Sequence, residues 1–130
     1  MASILLIEDD TPLREVLATT LTNAGHTVLQ AADGRQGIEL FHVSPTDVVI
    51  TDIIMPGQEG IETIMALRKE FPRLPIIAMS GGASHSRTYL GMAAKLGAHR
   101  TLAKPFTPAE LLRAITEVLP KPGAGSAEPL

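Results

Sequence analysis

Three short, unbroken apolar runs constrain this chain more than any other feature: Ile4-Leu5-Leu6-Ile7, Val48-Val49-Ile50 and Ile76-Ile77-Ala78-Met79. A strand with one solvated face alternates apolar and polar residues. A run that is apolar throughout reads as a strand of a parallel sheet covered on both faces. His26 to Ala31 and Arg100 to Ala103 are weaker strand candidates, expected nearer the sheet edges.

Helical stripes fill the intervals. Leu13, Val16, Leu17, Leu21 and Ala24 share one face, with Thr11 as N-cap, Pro12 in the first turn and Gly25 as stop. Asp33 and Gln36 resemble a capping pair for a helix carrying Ile38 and Phe41. Ile61, Ile64, Leu67 and Phe71 form a third stripe, and Tyr89, Met92, Ala93 and Leu96 a fourth, ended by Gly97. Thr107-Pro108-Ala109-Glu110 is a capping box opening a fifth helix, with Leu111, Leu112, Ile115, Val118 and Leu119 inward. A fivefold strand–helix alternation predicts a doubly wound α/β domain, a (βα)5 unit with a five-stranded parallel sheet and right-handed crossovers. The flavodoxin-like strand order 2-1-3-4-5 is expected. The domain is predicted over 1–119, and Pro120-Lys121-Pro122-Gly123-Ala124-Gly125-Ser126 begins a flexible tail or truncated linker over 120–130.

The 130 residues suffice for one core and not two. Hydrophobic residues at 45% and charged residues at 19% exclude a disordered chain. A net charge of −3 without a Lys/Arg run argues against gripping nucleic acid. No cysteine is present, which removes disulfides and thiolate metal sites and fits a reducing compartment. The four histidines have no ligand spacing, so zinc is not expected. With no signal-like start and no apolar stretch of bilayer length, a cytoplasmic chain without membrane contact is expected.

In open α/β sheets, ligands sit beyond the carboxyl ends of the strands, where strand order reverses. The acids collect there: the first strand runs into Glu8-Asp9-Asp10 and the third ends at Thr51-Asp52. Clustered carboxylates repel unless a cation offsets them, and oxygen-only ligands at a partly open site suit Mg²⁺. Ser80 ends the fourth strand with a hydroxyl, and Lys104 ends the fifth with an ammonium. Carboxylate, cation, hydroxyl and ammonium are together what a transferred phosphoryl group requires. Asp and Ser also follow strands merely to cap helices and make turns. A charged Glu8 at the end of a buried strand is harder to explain that way.

These motifs resemble the receiver domain of two-component response regulators over Ser3 to Leu119. The likeness lies in Ile4-Leu5-Leu6-Ile7-Glu8-Asp9-Asp10, Thr51-Asp52-Ile53-Ile54-Met55-Pro56-Gly57, Met79-Ser80-Gly81 and Lys104-Pro105-Phe106. The resemblance implies a stand-alone switch. By that likeness Asp52 would accept phosphate from a histidine kinase or histidine phosphotransfer protein, as a signal switch or phosphorelay intermediate. It implies Mg²⁺ held by Asp9, by Glu8 through water, by Asp52 and by the backbone carbonyl of Ile54, with Asp10 left as a helix cap. Ser80 would bond the phosphoryl group, Lys104 would contact it, and the Lys104-Pro105 bond would be cis. The family's readout face is the fourth helix, fifth strand and fifth helix, here about Ser86 to Leu119. With no output domain encoded, a downstream protein would be engaged there.

Two departures stand out. Thr101 occupies the switch position where the family often has an aromatic, so there is no ring to swing. Ile54 and Gly82 offer no polar side chain to orient water, so self-dephosphorylation is expected without their help. Two other functions compete. An aspartyl-phosphate phosphohydrolase of the haloacid-dehalogenase type carries a second Asp two places after the nucleophile, where this chain has Ile54. A pseudo-receiver would not keep the full set of acids, hydroxyl and lysine. Neither a metabolic enzyme nor a silent module is therefore expected.

Overall fold

The computed structural model describes residues 1–53, 60–80, 91, 93–95 and 97–119. Five strands appear: β1 (Ser3–Ile7), β2 (Thr27–Ala31), β3 (Val48–Asp52), β4 (Ile76–Ser80) and β5 (Arg100–Ala103). They form one parallel sheet in the order β2-β1-β3-β4-β5, as expected. The unbroken apolar runs account for the centre of the sheet. β3 and β4 are buried at every residue, whereas β2 at the edge is buried only at Ala31.

The described helices are α1 (Thr11–Asn23), α2 (Gly34–Val43), α3 (Gly60–Glu70) and α4 (Pro108–Val118), the last being the fifth helix of the sequence reading. Of the helix expected around Tyr89 to Leu96, residues 91 and 93–95 are helical, while Tyr89, Met92 and Leu96 lie outside the described residues. The tail from Pro120 lies outside them too.

Alternate residues of each strand feed two cores. Leu5, Ile7, Val49, Ile53 and Ala78 meet Phe41, Ile64 and Leu67 of α2 and α3. Ile4, Leu6, Val48, Ile50, Ile77 and Met79 meet Leu17, Leu21, Leu111 and Ile115 of α1 and α4. Burying each large aliphatic side chain is worth roughly 2 kcal/mol, so the two layers clamp the sheet from both sides.

The caps show which sequence signals were complete. Thr107 and Glu110 form the expected reciprocal capping box. Asp33 caps α2 by accepting from Gln36 N–H, and the Gln36 side chain reaches back to Ala32 N–H. For α1 the N-cap is Asp10 and not Thr11. Asp10 has extended backbone and its Oδ1 accepts from Leu13 N–H at 3.1 Å, while Thr11 is already helical. The face of α1 is also narrower than its periodicity suggests. Leu17, Ala18 and Leu21 are buried, Ala24 is an exposed C-cap, and Val16 is 61% exposed. Val16 is turned about 100° from Leu17 around the helix, into a groove that it lines with Leu111 of α4.

At the amino ends of the strands, Arg68 of α3 joins segments distant in sequence. Its guanidinium donates to the carbonyls of Phe71, Pro72, Leu74 and Gly97, at 2.7 to 3.0 Å. Those oxygens belong to the turns that lead into β4 and β5. An ammonium cannot reach four acceptors in a planar fork. Arg68→Lys is therefore expected to lower unfolding stability by about 2 kcal/mol. A urea titration giving a wild-type midpoint for this variant would contradict it.

Candidate functional site

Parallel pairing sets Ile7 beside Thr51, Asp52 beside Met79 and Ser80 beside Ala103. The residues that end or follow β1, β3, β4 and β5 therefore gather at one edge. Glu8 is 1% exposed and Asp52 6% exposed, while Asp9 is exposed. Carboxylate oxygens of Glu8, Asp9 and Asp52 all lie within 4.8 Å of one another. Lys104 reaches across from the end of β5, its Nζ lying 2.8 Å from Glu8 Oε1 and 3.2 Å from Asp52 Oδ2. The Lys104-Pro105 bond is cis.

Ser80 is fully buried at the end of β4, and its carbonyl accepts from Lys104 N–H at 2.7 Å. Thr101 stands three residues before Lys104, half-buried and paired with Ala78. Ile54, Gly81 and Gly82 lie outside the described residues.

Two contacts were not anticipated from the sequence. Arg14 Nη1 donates to the Glu8 carbonyl at 2.7 Å, tying α1 to the acidic turn. Its signal is that Arg14 follows the cap Asp10 by one helical turn, and its N–H bonds Asp10 O at 2.8 Å. The Thr51 hydroxyl donates to the Asp52 carbonyl at 3.0 Å.

The electrostatics are those of a site short of positive charge. Burial, reinforced by repulsion from Asp52, raises the Glu8 carboxyl from 4.5 to about 7, although bonds from Lys104 and Asp10 N–H pull the other way. Burial also disfavours charge on Lys104, but hydrogen bonding and attraction from Glu8 and Asp52 outweigh it and hold its pKa above the ordinary value. One ammonium does not neutralise the acids around it. Three converging carboxylates with oxygen donors alone fit a hard divalent cation, and this acidic pocket could hold one.

The sequence pattern of the response regulator receiver domain matches residues 4–116. The chain belongs to that family. A probable transcriptional regulator, ycf27, of Guillardia theta is 35% identical over 116 residues, which are 89% of this chain and 44% of the relative. The chain thus spans less than half the length of that relative. Among solved structures, a receiver domain protein from Clostridium thermocellum superposes with a TM-score of 0.84 at 30% identity, covering 91% of this chain and 94% of the other. The chemotaxis protein CheY4 of Vibrio cholerae does so with a TM-score of 0.83 at 31% identity, covering 92% and 99%. The chain is therefore a receiver domain of a two-component system. Such domains are phosphorylated by histidine kinases or phosphotransfer proteins, and they are signalling modules, generally not metabolic enzymes. Among the described residues, no helix is long and apolar enough to cross a membrane.

The raised Glu8 pKa has a testable consequence. Its proton stabilises the metal-free fold fully below about pH 4.5, and that contribution is lost as pH rises through about 7. A cation held by these carboxylates would take the place of the proton. Added Mg²⁺ is expected to raise the melting temperature more near pH 8 than near pH 6, and Glu8→Gln is expected to flatten the difference. Melts followed by circular dichroism at both pH values check this, and equal Mg²⁺ shifts would sink it.

Proposed function

We propose that this receiver domain accepts a phosphoryl group on Asp52 from a histidine kinase or histidine phosphotransfer protein, with Mg²⁺, and so acts as a cytoplasmic signal switch or phosphorelay intermediate. One observation carries the reading. Asp52 lies at the carboxyl end of β3, with Glu8 and Asp9 oxygens within 4.8 Å and the Lys104 ammonium 3.2 Å away.

An Asp52 carboxylate oxygen attacks the phosphorus in line. The new P–O bond forms as the P–N bond to the donor imidazole breaks, and the electron pair returns to the ring nitrogen. Lys104 contacts the transferred oxygens, exchanging its Asp52 bond for a phosphoryl one. Ser80, beside it at the end of β4, bonds the same group. Glu8, Asp9, Asp52 and the Ile54 carbonyl would hold Mg²⁺, which offsets the charge of the phosphoryl oxygens when bound. Hydrolysis then proceeds without help from side chains 54 and 82, since Ile54 and Gly82 have no polar group.

The output face is β5 with the helix before it and α4, where Arg100 of β5 pairs with Glu117 of α4. A downstream protein reads this face. The site proper takes a protein donor on its other flank. An apolar groove of about 470 Å³ runs between α1 and α4, lined by Leu13, Val16, Leu17, Phe106 and Leu111 and continuous with Lys104 and Pro105. It supports docking of an apolar helix face of the donor, and it gives the exposed Val16 a purpose.

Two experiments follow. Incubation with Mg²⁺ and acetyl phosphate should place a single acid-stable, base-labile phosphate on the chain, absent in Asp52→Asn. A folded wild-type protein that takes no label would refute the reading. Val16→Asp should slow transfer from a phosphorylated protein donor roughly tenfold while leaving acetyl phosphate labelling within about twofold. Equal slowing with both donors would place the defect in the chemistry and not in docking.

A further inference from the structure

We infer that Thr51 and Gly60 are positioning residues for Asp52, acting together on the peptide that leaves it. The inference rests on the reading of Asp52 as acceptor and goes beyond the side chains that meet a phosphoryl group. The Asp52–Ile53 peptide is held on three sides. Its N–H, from Ile53, donates to Met79 O of β4 at 2.9 Å. Its carbonyl, from Asp52, accepts the Thr51 hydroxyl at 3.0 Å. The first residue of α3 closes the third side: a Cβ on Gly60 would lie 1.9 Å from Asp52 O and 2.5 Å from Ile53 Cα. Gly60 N–H also donates to Ile53 O at 2.7 Å, so the next peptide is fixed to the same helix end.

Strand alternation places the Thr51 side chain on the α2–α3 side of the sheet, where Val49 and Ile53 join an apolar core. Thr51 is fully buried there. A hydroxyl in such surroundings costs stability unless bonded, and an aliphatic residue of the same shape would fill the space without that demand. The hydroxyl is used on the main chain of the acceptor. Rotation of this peptide would turn the Asp52 Cα–Cβ bond and move the carboxylate relative to Glu8 and Asp9. Reactive groups displaced by about 1 Å can lose two orders of magnitude in rate. Only a residue without Cβ lets α3 begin against that carbonyl.

The test compares Thr51→Val, which keeps shape and loses the hydroxyl, with Thr51→Ser, which keeps the hydroxyl. Mg²⁺ dissociation constants by calorimetry and acetyl phosphate labelling rates are measured where melts show each variant folded. Thr51→Val should weaken Mg²⁺ binding and lower the rate at saturating donor by about tenfold each, with the donor half-saturation unchanged. Thr51→Ser should stay within about twofold of wild type. Gly60→Ala should lose more than Thr51→Val; if it does not fold, the Thr51 pair decides. Wild-type Mg²⁺ affinity and rate in Thr51→Val would overturn the inference, and so would equal losses in Thr51→Val and Thr51→Ser. Absence of label on the wild-type chain would instead refute the acceptor reading, while the Mg²⁺ constants would still decide the role of Thr51.

Discussion

Burial of a carboxyl that the sheet sets beside a second acid is the constraint on which this site depends: desolvation of Glu8 comes first, and repulsion from Asp52 adds to it. The parallel register holds Glu8 and Asp52 close, because the strands that lead to them lie locked between two apolar layers, while Asp9 beside them is exposed. Like charges a few ångströms apart in partly buried surroundings interact by several kcal/mol. The structure answers incompletely, with Lys104 between Glu8 and Asp52. A buried ion pair of this kind is weak evidence for stability, since two desolvation costs stand against one attraction. The fold tolerates the arrangement because the cores on either side of the sheet supply the stability that the site does not.

The same constraint explains why the neighbouring backbone is so thoroughly fastened. Close carboxylates keep their geometry only where the main chain that carries them is held. Arg14 holds the Glu8 carbonyl, Asp10 N–H bonds the Glu8 carboxylate at 3.1 Å, and Asp10 in turn caps α1. On β3, the Asp52 carbonyl is met by Thr51 and by the start of α3. Each fastening holds a main-chain atom of the acidic turn or of β3 in a fixed position. Preorganisation of this sort lowers the reorganisation that charge transfer would otherwise require.

How far the sequence disclosed this follows from what each signal encodes. The apolar runs revealed β1, β3 and β4 because burial on both faces is written in consecutive residues. The acids after β1 and at the end of β3, and Ser80 at the end of β4, stood out for the same reason, at the stops of buried runs, whereas Lys104 follows the weaker run of β5. Val16 was misplaced because periodicity fixes the centre of an amphipathic face and not its width. The cap of α1 fell on Asp10 because two adjacent residues both carry capping chemistry, and only the backbone shows which one is still extended. Arg68 and Thr51 were not legible in these roles, and Arg14 only by its place one helical turn after Asp10. Their partners are carbonyl oxygens, which every residue has, so no residue type marks the other half of the contact.

Thr101 sharpens the question of how the site speaks to the rest of the molecule. An aromatic at that position would move as one rigid body, whereas a threonine half-buried opposite Ala78 has little to displace. A main-chain link between the two strand ends does not depend on that side chain. Lys104 N–H bonds the Ser80 carbonyl at 2.7 Å, so a shift of the Ser80 backbone would be felt at the end of β5 directly. Four residues upstream, Arg100 joins the start of β5 to Glu117 near the end of α4. β5 is thus tied to β4 through the main chain at one end and to α4 through an exposed ion pair at the other. Exposed pairs hold by about 1 kcal/mol or less, so the tie to α4 is the weaker of the two and the main-chain bond to β4 sets where β5 ends.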